Sequence, residues 1–185
     1  MNIVAIIQAR QESIRLPNKV MKYIGDYPMI ELLIKRLNKS KEISKIVVAT
    51  SNNSINKPLI RHVRKLGFDC EVGSEDDVLD RYFQVAKKYK ADTVVRITGD
   101  CPLIDPSIVD NIIKEFKTQE VDYISNTLKP TYPDGLDTEV FTFASLKRAH
   151  EESKEIFQRE HVTPYIKQSK LFKIKEYQNN QDYSD

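Results

Sequence analysis

The sequence predicts an α/β fold with a mostly parallel β-sheet covered by helices on both faces. Two observations lead to this fold class. Short apolar, β-prone runs alternate along the 185 residues with segments whose apolar residues recur at helical spacing. The first of these runs, residues 3–7, is apolar throughout, as in a strand buried on both faces. The length suits one domain with a sizeable core. We assign residues 1–178 to that domain and residues 179–185 to a polar tail.

The predicted elements follow one another in order. Strands are expected over residues 3–7, 45–50, 69–72, 93–97, 121–125, 138–143 and 171–176. Helices are expected over residues 28–39, 59–66, 78–86, 106–116 and 155–168. Gly67 is the expected C-terminal cap of the second helix, and Ser74 or Asp76 is the expected N-cap of the third. Pro106 opens the fourth helix, with Asp105 as its cap.

Composition excludes several classes of function. The formal net charge is +2 and the basic residues form no single stripe, so nucleic acid is not an expected partner. No apolar run approaches the length needed to cross a membrane, and a strand pattern rather than a signal peptide follows Met1. Cys70 and Cys101 are far apart and lack the spacing of metal ligands. A reducing cytoplasm is therefore the expected location.

The loop after the first strand is the strongest functional signal. Residues 8–19 carry three cations, Arg10, Arg15 and Lys19, directly after a buried strand. Loops at the carboxyl ends of strands in open α/β sheets are where ligands bind. Pro17 interrupts any helical path, so the loop can curl and direct all three cations at one polyanion such as a triphosphate. The alternative is a solvated turn that is basic by chance.

A second polar turn follows the strand at residues 93–97. Gly99 lets the backbone approach a ligand closely, and Asp100 lies just past the strand end. A carboxylate facing a triphosphate is repulsive unless a cation lies between them, so we pair Asp100 with Mg²⁺. The alternative is an aspartate that caps a turn. Cys101 has no base near it in sequence, so we treat it as a small turn residue rather than a nucleophile.

Five ordered segments resemble a known family. They are residues 6–19 (IIQARQESIRLPNK), 74–82 (SEDDVLDRY), 96–105 (RITGDCPLID), 132–137 (YPDGLD) and 159–165 (REHVTPY). Together they resemble the CMP-sugar synthetases, and most of all the spore-coat polysaccharide biosynthesis protein F group, from residue 1 to about residue 178. The resemblance implies a Rossmann-like nucleotide-diphospho-sugar transferase fold with three α/β/α layers. It also implies transfer of CMP from CTP to an acidic or related sugar with release of pyrophosphate, in surface polysaccharide biosynthesis.

The resemblance also assigns roles to residues. Arg10, Arg15 and Lys19 would hold the CTP phosphates as catalytic cations, and Asp100 would bind the metal. The other substrate-binding or nucleotide-binding residues would be Ala9, Ser13, Asp80, Arg81, Gly99, Asp134, Gly135 and Asp137, with the last three on the sugar side. Glu160 and His161 belong to a motif of the group whose role the sequence does not assign, and a structural histidine is the alternative for His161.

Two departures from the family pattern stand out. Glu12 replaces a frequent glycine and brings a negative charge toward the phosphates, so we expect it to turn outward or to weaken their binding. The family also uses a second metal-binding aspartate in a C-terminal segment. We expect that segment to be missing here, with Asp182 and Asp185 as weak substitutes.

Two alternatives to an active cytidylyltransferase therefore stay open. One is a glycosyltransferase of similar fold that uses a nucleotide sugar, although the Asp-x-Asp tripeptide typical of such enzymes is absent from the sequence. The other is a non-catalytic nucleotide-binding or partner-binding remnant, which a missing C-terminal segment would favour. The oligomeric state is also open, a homodimer included.

Overall fold

The computed structural model describes residues 1–12 and 16–184, and its elements alternate as the sequence predicts. The strands are β1 (Ile3–Gln8), β2 (Tyr23–Ile24), β3 (Tyr27–Pro28), β4 (Lys45–Ser51), β5 (Asp69–Gly73), β6 (Thr93–Thr98), β7 (Tyr123–Ser125), β8 (Glu139–Thr142) and β9 (Ile174–Glu176). The helices are α1 (Met29–Leu37), α2 (Lys57–Lys65), α3 (Val78–Lys88), α4 (Pro106–Thr118), α5 (Phe143–Glu152), α6 (Ile156–His161) and α7 (Pro164–Gln168). Two 3₁₀ turns cover Lys19–Met21 and Ser54–Asn56.

Seven strands form one sheet in the order β5-β4-β1-β6-β8-β7-β9. Within it β8 runs antiparallel to β6 and β7, and the other pairs are parallel. The chain proceeds from β1 outward to β4 and β5, then returns to place β6 on the other side of β1. In open α/β sheets a ligand crevice forms where the strand order reverses in this way. That point lies between β1 and β6, where Gln8 pairs with Thr98.

Both faces of the sheet are covered, as predicted. Ile3, Ala5 and Ile7 belong to a core shared with α1, α2 and α4, whereas Val4 and Ile6 belong to a core shared with α3, α5 and α7. Such alternation follows from the two-residue period of a strand. The protein therefore has the predicted three-layer α/β/α architecture. Across the described residues, no helix has the length and apolar character required of a membrane span.

The predicted helix over residues 155–168 is wrong, because the chain forms two short helices there. Between α6 and α7, Val162 has φ 71° and ψ −57°, and the Thr163 amide donates to the His161 carbonyl at 2.8 Å. This is a γ-turn of the rare, strained kind with positive φ. A β-branched residue seldom adopts this backbone conformation, so helical spacing of apolar residues could not reveal it.

Other differences are local. The predicted strand over residues 138–143 ends one residue early, because Thr142 accepts from the Ser145 amide and caps α5. We missed α5 because its buried apolar side chains are few. The N-cap of α3 is Asp77 rather than Ser74 or Asp76. The predicted caps at Asp105 and Gly67 are confirmed, since Asp105 accepts from two amides of α4 and Gly67 has φ 85°.

A buried carboxylate links the antiparallel part of the sheet to the γ-turn. Glu139 at the start of β8 is 3% exposed and forms an ion pair with Arg96 of β6. The hydroxyl of Tyr123 donates to Glu139 Oε1 at 2.6 Å, and that of Thr163 donates to the same oxygen at 2.9 Å. Burial alone would raise the pKa of Glu139, but the charges of Arg96 and Lys167 and the Tyr123 hydrogen bond lower it below its usual value. The carboxylate is therefore ionised, and both of its oxygens accept hydrogen bonds.

We expect Arg96→Met to destabilise the protein by about 3–5 kcal/mol, because the variant leaves the Glu139 carboxylate buried without its main counter-ion. Urea denaturation at neutral pH measures the change. The control is Lys117→Met, which breaks the more exposed pair between Lys117 and Glu42 and should cost at most about 1 kcal/mol. Equal losses in the two variants would contradict a special role for the buried pair.

Candidate functional site

A cleft of about 510 Å³ opens over the carboxyl ends of β1 and β6, at the point where the strand order reverses. Charged and polar residues from several elements share it: the loop after β1, the turn after β6, the first turn of α3 and the end of α6. Its lining residues are Gln8, Ala9, Arg10, Glu12, Lys19, Val20, Val78, Arg81, Thr98, Gly99, Asp100, Glu160 and His161. Six of the twelve predicted site residues therefore lie in one place: Ala9, Arg10, Lys19, Arg81, Gly99 and Asp100.

The loop after β1 brings Arg10 and Lys19 into the same cleft, as its spacing predicts. Lys19 begins a 3₁₀ turn directly after Asn18, whose φ of 58° turns the chain back. The Asn18 amide donates to the Gln11 carbonyl at 3.0 Å, and the Gln11 side chain donates to the Asn18 side chain at 3.0 Å. These contacts close the loop on itself, so cations nine positions apart in sequence reach one site. Arg15 and Ser13 lie outside the described residues.

Asn56 anchors this loop to the body of the protein, and sequence reasoning missed it. It is fully buried, its Oδ1 accepts from the Gln11 amide at 2.8 Å, and its Nδ2 donates to Ser51 Oγ at 2.8 Å. Gln11 and Asn56 are 45 positions apart. Because Gln11 lies between the two cations of the loop, this hydrogen bond holds the loop that carries them.

Gly99 lets the two polar turns pack against each other. A Cβ atom at this position would lie 2.9 Å from the Gln8 carbonyl oxygen and 3.1 Å from Ala9 Cβ. The Gly99 amide donates to the Gln8 carbonyl at 2.8 Å. The glycine is thus required by the approach of the β1 and β6 turns. It places Asp100 beside the cationic loop.

Asp100 and Lys19 form an ion pair across the cleft, with Lys19 Nζ 2.6 Å from Asp100 Oδ1. The Asp100 side chain is 61% exposed, so it remains open to a ligand. Among the described residues, no cluster of three or more His, Cys, Asp or Glu side chains could hold a metal by itself. Mg²⁺, however, is commonly held by one or two carboxylates together with substrate phosphates and water. Asp100 beside the cationic loop fits that donor set if the loop holds a phosphate.

Arg81 adds a third cation to the cleft from α3. It is 4% exposed and donates to the carbonyls of Ser74 and Glu75. Its pKa is lowered by burial and by the charge of Arg10, yet it remains cationic, because its ordinary value is far above neutral pH. Its Nε atom has no hydrogen-bond partner within the described residues, and the same is true of Gln8 Oε1 and Glu12 Oε1. Three such buried polar atoms around one cleft indicate a polar ligand.

Glu12 lines the cleft rather than turning outward. Its Oε2 lies 3.5 Å from Asn56 Nδ2, and its charge acts favourably on Arg81. The nearby cation thus offsets part of the repulsion that Glu12 would exert on a phosphate. Cys101 is buried with its Sγ 3.2 Å from Thr98 Oγ1, and burial raises the pKa of its thiol. It therefore stays protonated and serves as a turn residue, as predicted.

Several predicted residues lie outside the cleft. Asp80 bonds His150 Nε2 at 2.9 Å and Gln84 Nε2 at 3.0 Å, on the side of α3 that faces α5. Asp134 is exposed, and Gly135, with φ 91°, forms the expected tight turn. Desolvation and the charges of Asp134 and Glu139 raise the pKa of Asp137. The roles of these residues stay predictions.

The loop that holds Asp137 nevertheless approaches the β6 turn. The backbone of Asp137 contacts the Cys101 thiol, one residue after Asp100. Asn126, 3% exposed, holds this loop by donating to the Leu136 carbonyl at 2.9 Å and accepting from the Thr138 amide at 2.8 Å. Asp182 is exposed outside the cleft and accepts from Ser184, and Asp185 lies outside the described residues.

Glu160 and His161 reach the cleft from the end of α6. Arg159 fixes this helix, since its Nε donates to Asp77 Oδ2 at 2.9 Å and its NH1 donates to the His150 carbonyl at 2.6 Å. The other oxygen of Asp77 caps α3 at 2.8 Å. The motif over residues 159–165 therefore combines an anchor with two cleft residues. Sequence reasoning singled out the motif but not the anchor.

The sequence profile of the cytidylyltransferases matches residues 4–183. The chain belongs to the cytidylyltransferase family. It is therefore a CTP-dependent nucleotidyltransferase with the predicted Rossmann-like nucleotidyltransferase fold, and the family resemblance seen in the sequence is confirmed.

Individual relatives agree with this assignment. The chain is 35% identical to the spore coat polysaccharide biosynthesis protein SpsF of Bacillus subtilis over 90% of this chain and 70% of that protein. It is 36% identical to the 3-deoxy-manno-octulosonate cytidylyltransferase of Geobacter sulfurreducens over 61% of this chain, spanning 44% of that enzyme. Among solved structures, a cytidylyltransferase from Leptospira borgpetersenii superposes with a TM-score of 0.95 at 34% identity. That superposition covers 100% of this chain and 79% of the other.

We expect Asn56→Ala to weaken binding of CTP, because the variant leaves the Gln11 amide without a partner and releases the cationic loop. The unmet hydrogen bond also lowers stability by about 1–3 kcal/mol. Calorimetric titration with CTP measures the first effect and urea denaturation the second. The control is Asn53→Ala, which removes the cap of the adjacent 3₁₀ turn but no contact to the loop. The cap loss lowers stability and should leave CTP affinity unchanged. If both variants bound CTP with the affinity of the wild type, the loop would not need Asn56 as an anchor.

Proposed function

We propose that this protein transfers CMP from CTP to a sugar of the acidic type, with release of pyrophosphate. The observation that carries the proposal is the arrangement of Arg10, Lys19, Arg81 and Asp100 around one cleft at the switch point of the sheet. The named activity of the Geobacter relative supports an acidic sugar. The name of the Bacillus relative supports a role in surface polysaccharide biosynthesis.

The cations of the cleft suit the triphosphate of CTP. Arg10 can bind two phosphate oxygens through its guanidinium fork, and Lys19 adds a mobile point charge. Arg10 already acts on Arg81 as a neighbouring like charge, so an anion between them would relieve that repulsion. These residues would hold the β- and γ-phosphates and stabilise pyrophosphate as it leaves.

Asp100 would hold Mg²⁺ together with the phosphates. When bound, the ion would supply Lewis-acid polarisation of the α-phosphate and help to orient the reactants. The protein itself would contribute by positioning the reactants. The closed loop from Arg10 to Lys19 and the tightly packed turn at Gly99 hold the reactive groups in place. Transfer of a nucleotidyl group depends mainly on such positioning and on neutralised charge.

We expect Lys19→Met to weaken CTP binding by about 1.5–3 kcal/mol, the value of a hydrogen bond to a charged group. The loss also leaves Asp100 without its ion-pair partner, which adds repulsion toward the phosphates. Calorimetric titration with CTP measures the effect. The matched control is Lys22→Met, three residues later and exposed outside the cleft, which should bind CTP as the wild type does. Unchanged affinity in folded Lys19→Met protein would refute a triphosphate site here.

The activity itself is tested by pyrophosphate release from CTP with 3-deoxy-manno-octulosonate, N-acetylneuraminate, glucose and glucose 1-phosphate as acceptors. We expect release with at least one acidic sugar and a fall of about 10²-fold or more in Asp100→Asn, because metal ions contribute several kcal/mol to such reactions. CTP binding in the presence of a chelator should survive in this variant.

The control for Asp100→Asn is Asp105→Asn, which keeps a good N-cap for α4 and should retain full turnover. Turnover of Asp100→Asn with normal dependence on Mg²⁺ would make Asp100 a turn residue. Release with none of the sugars by wild-type protein that binds CTP would refute the proposed transfer.

A further inference from the structure

His161 differs from the other two histidines of the chain. His62 Nε2 lies 2.9 Å from Glu31 Oε2, and His150 Nε2 lies 2.9 Å from Asp80 Oδ1. The ring nitrogens of His161 have no hydrogen-bond partner within residues 1–12 and 16–184, and the residue is exposed at the cleft. Its ring lies 4.6 Å from that of Phe157, one turn earlier on α6. Its nitrogens are therefore available to a ligand in the cleft.

The γ-turn at Val162 is the second observation. Residues in such backbone conformations cost of order 1–3 kcal/mol and persist only where the surroundings enforce them, commonly at functional sites. Here Val162 is fully buried and Thr163 is tied to Glu139, so the packing of the turn enforces the strain. The turn ends α6 at His161 and leaves this side chain at the cleft.

The third observation is the placement of His161 relative to the cations. Val20, next to Lys19, packs into the core on the face of α1, whereas Val162, next to His161, packs into the core on the opposite face. The phosphate-binding loop and the end of α6 therefore approach the cleft from opposite faces of the sheet. A group held between them would contact Arg10 and Lys19 on one side, and the imidazole together with Arg81 of α3 on the other.

We propose that His161 is the general base that accepts the proton of the attacking sugar hydroxyl, an inference that rests on the proposed function. As the hydroxyl oxygen bonds to the α-phosphorus of CTP, the bond from that phosphorus to pyrophosphate breaks. The hydroxyl proton moves to the free ring nitrogen of His161, which later releases it to water. An imidazole is suited to this transfer near neutral pH.

Charged groups of both signs surround His161. Those that line the cleft with it are Arg10, Glu12, Lys19, Arg81, Asp100 and Glu160. Elements packed against α6 add Asp77 and Asp80 at the start of α3 and Lys167 on α7, and Arg159 lies on α6 itself. Arg159 is paired with Asp77, and Lys167 lies 3.4 Å from Glu139. Glu12, Asp100 and Glu160 are the carboxylates that share the cleft with His161 and would offset the charge of an imidazolium.

The test compares His161→Gln and His161→Ala with wild type in pyrophosphate release under the best acceptor of the four named sugars. Glutamine can hydrogen-bond a hydroxyl but cannot take its proton. We expect kcat to fall about 10²-fold or more in both variants, as for loss of a general base. CTP affinity by calorimetry should be unchanged. A general base predicts that kcat/KM of the wild type rises with pH, and this rise should be absent from both variants.

His62→Gln on α2, far from the cleft lining, is the matched control and should keep wild-type turnover and pH dependence. Full turnover in His161→Gln together with a loss in His161→Ala would show a binding residue and overturn the proposal. Full turnover in both would do the same. If wild type binds CTP but releases pyrophosphate with none of the sugars, the proposed function fails and the inference fails with it. Active wild type with unaffected variants refutes the inference alone.

Discussion

The arrangement of the site depends on the contacts of one buried carboxylate, that of Glu139. It joins Arg96 of β6, Tyr123 of β7 and Thr163 beside the γ-turn through one side chain that is 3% exposed. Removal of any one partner of a buried charge lowers the stability of the fold, because the group left unpaired is no longer compensated for its desolvation. The antiparallel strand β8 and the motif that presents His161 are therefore set relative to β6, the strand whose following turn carries Asp100.

The second constraint is the close packing of the β1 and β6 turns. Gly99 lets the two strand ends approach until a Cβ atom would touch the Gln8 carbonyl. On one side of this contact lies the cationic loop held by Asn56, and on the other lies Asp100. The parallel strands β1 and β6 end side by side, so the cations after β1 and the carboxylate after β6 lie in one cleft.

The sequence predicts those parts of the fold and site that follow from local patterns. Arg10, Lys19 and Asp100 could be found because each follows an apolar strand, and strand ends meet at one edge of a parallel sheet. Asn56 and Arg159 could not, because each acts through a contact 45 or 82 positions away. The γ-turn at Val162 escaped prediction for a different reason. Tertiary packing enforces a backbone conformation there that the residue itself disfavours.

The ion pair between Lys19 and Asp100 has a thermodynamic consequence. In the free protein each group neutralises the other, so a phosphate must compete with Asp100 for the lysine and a cation must compete with Lys19 for the aspartate. If phosphate and cation bind as proposed, either ligand would break the pair and free the partner for the other. Linkage would then require each to raise the affinity of the other by the same factor. Under the proposed function, the cleft would therefore favour the joint complex of nucleotide and cation over either component alone.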